Sequence, residues 1–359
     1  MRNHTAFSHE EIERARRFHR PLYRVLLAET AIGLGVLAAL GWAAPLGWTR
    51  QLPWTTATFV LAVLTAAAGA AARLPFGVFR HRHEAAWGLT AQGWRGWAAD
   101  RAKSLAVGAA LTAAALVPLV GLARALPSLW PLAAAAGAAA LVGLLSFVAP
   151  VVLEPIFNRF GPLEDERLAG ELRELSVRAG VPVRDVLVAD ASRRTNRHNA
   201  YVSGLGRTRR VVVWDTLLRD ADPRRVALVV AHELGHRRRR HVALLTVLGM
   251  LGAAAFVVVL WALPLDVADP RRVPRILFLG AVLELATLPF GSALSRRLER
   301  SADRFSLELT GDRETYVHAF RELALANLSD LDPPRALYLA LFSHPTAPER
   351  IAAAQHDDT

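Results

Sequence analysis

The stretch DPRRVALVVAHELGHRRRRHVALLTVLGMLGAAAFVVVLWAL, residues 222–263, sets a polar helix carrying histidines and a glutamate directly before an apolar run of membrane length. Asp222 is placed as an N-cap and Pro223 as the first helical residue, and the apolar run Val226–Val230 leads into AHELGH at 231–236. His232 and His236 are four residues apart. At 3.6 residues per turn they fall about 40° apart on one helix face, one turn above the other. Two imidazoles so placed close on one zinc ion, and Glu233 reaches a water held by that metal. The plainer reading is two solvated histidines on a helix, and the rest of the chain decides between them.

The run 242–263 is one of six apolar blocks long enough to cross a hydrocarbon core of about 30 Å. The others lie at about 24–44, 54–73, 104–124, 129–153 and 275–294. Of 359 residues, 53% are hydrophobic, and they are gathered in these blocks, which marks a membrane protein. Charged and mixed residues precede a first block that is long enough to span, which argues against a cleavable signal peptide. No cysteine occurs, which removes disulfides, thiol nucleophiles and Cys-based metal sites.

A net charge of +11 raises nucleic-acid binding, but the distribution of the charge argues against it. Basic residues crowd the N-terminal segment, the loop 74–103, the stretch 154–241 and the segment after 295, whereas 45–53 holds only Arg50 and 125–128 holds none. This alternation is the positive-inside pattern. It predicts cytoplasmic termini and a cytoplasmic HExxH, although Arg271 and Arg272 in 264–274 fit it less well. The run Arg237–Arg240 reads as a membrane-surface anchor.

The expected organisation is a cytoplasmic N-terminus (1–23), then four spans over 24–153 with the cytoplasmic loop 74–103. A cytoplasmic insert (154–241), two spans (242–294) and a cytoplasmic helical tail (295–359) follow. Within the insert, 163–179 reads as an amphipathic helix with Gly180 beyond its end. Strand-like runs follow at 186–189, 199–203 and 209–214, the last two joined as a hairpin.

A catalytic zinc needs a third protein ligand and an open position. His241 lies about 140° round the helix from His236 and is poorly placed to share the metal. Glu299, in Leu298-Glu-Arg-Ser-Ala-Asp303 after the sixth span, is the better candidate. Asp303, one turn on, is placed to accept from a ligating imidazole. An acid within the sixth span, Glu284, reads either as cavity-lining or as structurally paired.

HELGH followed by ExxxD after two spans resembles the integral-membrane zinc metalloproteases of the type I CAAX prenyl protease family. Asn199-Ala-Tyr-Val-Ser-Gly204, the segment Arg209–Leu218 with its Asp-Thr-Leu-Leu, Pro155–Leu163, the loop residues Glu84, Gly88, Gln92, Asp100 and Lys103, and Ser343-His-Pro…Glu349-Arg-Ile351 match it in order. The chain departs from the family in having six spans rather than seven, and in Val202-Ser203 where the family carries aromatic residues.

The resemblance implies a mainly α, polytopic transmembrane helical protein with a small β-hairpin and a cytoplasmic zincin-like catalytic region. It implies one Zn2+ per chain on His232, His236 and Glu299, with Glu233 as general base. His344 and Arg350 are implied as oxyanion donors, and Asn199, Ala200 and Tyr201 as the substrate strand. The implied partners are a peptide or protein substrate, prenylated or membrane-anchored, and the lipid bilayer, with no nucleic acid. The localisation implied is multi-pass, in the cell inner membrane. Two alternatives stand: a quality-control protease like the related heat-shock membrane enzymes, and a non-catalytic scaffold holding a structural metal.

Overall fold

The computed structural model describes residues 6–204 and 206–356. The ends of the expected N-terminal and C-terminal segments and Leu205 of the hairpin loop lie outside the described residues.

Among these residues six helices are long and apolar enough to cross a membrane. Helix α1 (His9–Ala38) starts at a capping box in which Ser8 and Glu11 satisfy each other's backbone N–H. α2 (Trp54–Ala86), α3 (Trp94–Ala125) and α4 (Trp130–Val148) follow, and α5 (Glu154–Phe157) is a single turn below α4. α9 (His241–Ala262) and α10 (Val273–Thr310) complete the set. Each packs on the next in the cycle α1, α2, α3, α4, α9, α10, and α10 returns to α1. The spans therefore form a closed ring. At one end it is pinched by Leu61, Ala113, Leu116, Leu260 and Ile276. Several helices outrun the apolar blocks, because their polar ends are held by the soluble part and not by lipid.

The insert between α5 and α9 is richer than a hairpin. β1 (Phe160–Pro162), β2 (Asp185–Ala189), β3 (Ala200–Ser203) and β4 (Arg210–Trp214) form one sheet in the order β1-β2-β4-β3. The expected β3–β4 hairpin is antiparallel, and β2 runs parallel to β4. α6 (Glu166–Arg178) joins β1 to its antiparallel neighbour β2, capped by Asp165 and ended by Gly180 at φ +66°, and the chain passes from β2 to β4 by way of β3. After β4 come α7 (Asp215–Asp220) and α8 (Pro223–Arg238). The sheet, α6 and α8 enclose one core of Leu168, Leu172, Val211, Val213, Val230 and Leu234.

The tail supplies α11 (Arg313–Ala326), α12 (Arg335–Leu341) and α13 (Ala347–His356). Phe7, Ile12 and Ala15 pack with Tyr316, Phe320 and Ile351 in a second core. The start of α1, the insert and the tail therefore lie on one side of the ring. Two polar seams fix the insert to the spans. Glu154, beneath α4, accepts from Ser203 Oγ at 2.7 Å and from Arg210 Nη2 at 3.2 Å. Asn196 donates its backbone N–H to Leu89 O and its side-chain amide to Gly88 O, between α2 and α3.

Leu172 is fully buried where α6 meets the sheet. Leu172→Ala is expected to cost about 2–5 kcal/mol, read as a lowered thermal midpoint in detergent with bound metal unchanged at room temperature.

Candidate metal centre

The Asp222 carboxylate accepts from the backbone N–H of Arg225 and sets the first turn of α8. Burial of Val226, Val230 and Leu234 in the core fixes the rotation of this helix. His232 and His236 then face α10. The helices meet at Gly235, where a Cβ would lie 3.0 Å from Phe305 Cδ1 and 3.2 Å from Ala302 O. Only a residue without a side chain allows that approach without displacement, and the approach brings Glu299 and Asp303 to the imidazoles.

His232 Nε2 and His236 Nε2 stand 3.2 Å apart, and each is 3.3 Å from an oxygen of Glu299. Ligands bonded at about 2.0–2.1 Å to a tetrahedral ion lie about 3.3–3.4 Å from one another. Glu299 Oε2 is buried and has no hydrogen-bond partner among the described residues. A buried, partnerless carboxylate oxygen beside two converging imidazole nitrogens fits a metal ion, and the three residues form a group able to hold one.

The outer partners are as ordered as the ligands. Asp303 Oδ1 lies 2.9 Å from His232 Nδ1, so Nδ1 carries the proton and Nε2 faces the ion site. Arg350 Nε donates to Asp303 Oδ2 at 3.0 Å, and its Nη2 donates to the other oxygen. The guanidinium lies over the Phe320 ring, 3.7 Å from its centroid. On the second imidazole, His236 Nδ1 is 3.1 Å from His241 Nδ1. Burial and the Arg350 charge push the His232 pKa down, but the neighbouring Asp303 and Glu299 carboxylates outweigh them and raise it. The same carboxylates favour any cation at this point. Burial pushes the Glu233 carboxyl above the usual carboxylate range, against the pull of His232 and His236.

His344 stands on the open side of this group. Its Nε2 is 3.2 Å from Glu299 Oε1, and its side chain remains 62% exposed. Ala200 and Tyr201 lie on β3, with Asn199 exposed just before it.

Three expectations change in the structure and a fourth is narrowed. Arg350, grouped with His344 as an oxyanion donor, sits behind His232 with its guanidinium committed to Asp303. His241 does not continue the HExxH helix: Arg240 takes a left-handed conformation at φ 58°, and His241 begins α9. The angular argument against His241 therefore fails, and its ring abuts the far nitrogen of His236. Arg237 does not join the basic run at the surface but donates to Val202 O on β3. Of the two readings of Glu284, the structural pairing is not found, since its side chain has no ion pair among the described residues, whereas its exposure agrees with the cavity-lining reading. The contributions of Gly235 and Phe320 were not foreseen. For Gly235 the available signal was the one residue without a side chain between the two histidines.

The sequence comparisons agree with this architecture. Residues 162–358 match the profile of peptidase family M48. The chain belongs to that family. Residues 5–159 match the profile of the CAAX prenyl protease N-terminal region, described as five membrane helices; four candidate spans occupy this region here among the described residues. An uncharacterized metalloprotease of Bacillus subtilis, YhfN, is 34% identical over 227 residues, covering 60% of this chain and 53% of its own length. CAAX prenyl protease 1 of Saccharomyces cerevisiae is 30% identical over 238 residues, covering 58% and 52%. The chain thus spans about half the length of the curated relatives it matches. The crystal structure of S. mikatae Ste24p shares the fold, with a TM-score of 0.79 over 97% of this chain and 89% of that one, at 21% identity.

Gly235→Val inserts bulk where α8 meets Ala302, and overpacking of this kind costs about 1–3 kcal/mol. The variant is expected to stay folded yet hold substoichiometric metal after dialysis, read by elemental analysis.

Proposed function

We propose that this chain is a zinc-dependent membrane endopeptidase that cleaves peptide bonds near the cytoplasmic membrane surface. The observation that carries this reading is the convergence of His232, His236 and a partnerless Glu299 oxygen, backed by Asp303. A zinc ion held there supplies Lewis acidity toward a scissile carbonyl and lowers the pKa of water from about 15.7 toward 7.

The chain's own residues do the rest. Glu233, its basicity raised by burial, takes a proton from the attacking water and returns it to the departing amine nitrogen as the C–N bond breaks. His344, on the open side, donates to the carbonyl oxygen as negative charge develops there. Asp303 fixes the tautomer and orientation of His232, and Arg350 holds Asp303 in place. An extended peptide adds to β3 through backbone hydrogen bonds, with Asn199 at the start of the strand binding its main chain.

The positive-inside distribution supports placing the termini and the site in the cytoplasm, with the spans in the inner membrane. The likeness to CAAX prenyl protease 1 supports a prenylated or membrane-anchored peptide as substrate. One observation favours quality-control cleavage of membrane proteins instead: Val202 and Ser203 leave β3 without the aromatic residues the family carries there. A scaffold with a structural metal would close the site with a fourth ligand, and no fourth residue joins the metal-holding group among the described residues.

Glu233→Gln is expected to keep about one zinc per chain and to lose peptidase activity; full activity in that variant would sink the mechanism. His344→Ala is expected to keep zinc and lose turnover by about 10²–10³-fold, read in the same assay. A farnesylated CAAX peptide assayed beside an unprenylated membrane-protein fragment separates the two substrate classes.

A further inference from the structure

A neutral imidazole carries one N–H and one lone pair. A histidine that gives Nε2 to a metal therefore keeps its proton on Nδ1 and needs an acceptor there. For His232 that acceptor is Asp303, 2.9 Å away. His236 has no carboxylate at the equivalent place. Among the described residues the partner of its Nδ1 is Nδ1 of His241, at 3.1 Å. The two rings meet edge to face, with centroids 5.1 Å apart.

His241 reaches this position through an unfavourable piece of backbone. An uninterrupted α8 would carry residue 241 about 140° round the helix from His236, away from its ring. Instead Arg240 turns left-handed at φ 58°, and α9 starts at His241. A residue with a side chain keeps that conformation only where its surroundings impose it. His241 is also buried, only 4% exposed, at the head of a helix of membrane length. A polar ring buried there needs a hydrogen-bond partner, and His236 supplies it. His241 is not a further metal ligand. His232 and Glu299 face Nε2 of His236, so a partner at Nδ1 stands behind the ligand as seen from the ion site.

We propose that His241 is a positioning residue of the metal centre: its Nδ1 accepts the Nδ1–H of His236 and so fixes that ring with Nε2 on the zinc. This rests on the zinc reading of the site but not on peptide cleavage. The proton of His241 itself then sits on Nε2. The two imidazole ligands are oriented from opposite parts of the fold. His232 is held from the tail, through Asp303 and Arg350, and His236 from the first residue of α9. The partners are also unequal. A hydrogen bond to a carboxylate is roughly twice as strong as one between neutral groups. Loss of such an outer partner typically weakens metal binding 10–100-fold, and the neutral His241 belongs at the lower end of that range.

The test is zinc affinity of the full chain in detergent, measured by competition with a chelator, with thermal midpoints recorded alongside. His241→Phe keeps a ring of similar shape and removes the acceptor; it is expected to bind one zinc about tenfold more weakly than wild type. His241→Asn returns an acceptor oxygen near the place of Nδ1 and is expected to stay within about threefold of wild type. A role in packing alone predicts the reverse order, with Phe close to wild type and Asn weaker, and that order would overturn the proposal. Wild-type affinity in both variants would overturn it too. Nitrogen NMR of zinc-loaded wild type with isotopically labelled histidines needs no variant to fold. It is expected to show His236 protonated at Nδ1 and His241 protonated at Nε2 alone; a proton on Nδ1 of His241 would refute the assignment. Absence of zinc from wild type marks failure of the zinc reading itself, and the proposal falls with it.

Discussion

The candidate metal centre depends on the contact between Gly235 of α8 and Ala302 of α10, because that contact sets how far the carboxylates of one helix stand from the imidazoles of the other. Neither helix is free to compensate. α8 is fixed by Val226, Val230 and Leu234 in the sheet core, and α10 is a span continued upward. The outer pair Asp303–Arg350 tightens the arrangement from behind. Both side chains are about nine-tenths buried, and stripping one partner from a buried ion pair typically costs about 3–5 kcal/mol. Arg350 belongs to α13 and rests on Phe320 of α11. The stability of the tail core is therefore coupled to the orientation of a ligand on the other side of Asp303.

Much of this was legible because it is local. The Asp222–Pro223 start of α8, the Gly180 stop after α6 and the apolar blocks are signals carried by neighbouring residues, and the structure shows each of them. Glu299 could be read because a carboxylate and its follower Asp303 recur one helical turn apart on one segment. What escaped the sequence is set by contacts across the fold. β1 is three residues long and ends in proline, too short for any alternation to register. His344 and Arg350 lie on the same short motif, yet one ends exposed beside Glu299 and the other buried behind His232. Nothing in their spacing distinguishes those fates; the packing of α13 on α11 does. Arg237 looked like its three basic neighbours, and only the position of β3 separates it from them.

The helix break after the HExxH turn escaped for another reason. Arg240 adopts a left-handed backbone with neither glycine nor proline to announce it. A residue with a side chain bears that conformation at some energetic cost when surrounding structure demands it. Here the demand comes from both sides, since α8 is locked to the sheet and α9 packs along α4.

That break acts as an elbow, and it sets a fixed height. His236 precedes it and the membrane-length helix α9 begins immediately after it at His241. The candidate metal ligands are thereby joined to a membrane-length helix through the single left-handed residue Arg240 and the turn around it. On the proposed peptidase reading, distance from the membrane would then be a selection criterion independent of sequence: a bond would have to be presented within reach of one plane beside the lipid. Residues tethered close to that plane by a lipid or by a span of their own meet the condition automatically, whereas a loop far out in the aqueous phase does not, whatever its composition.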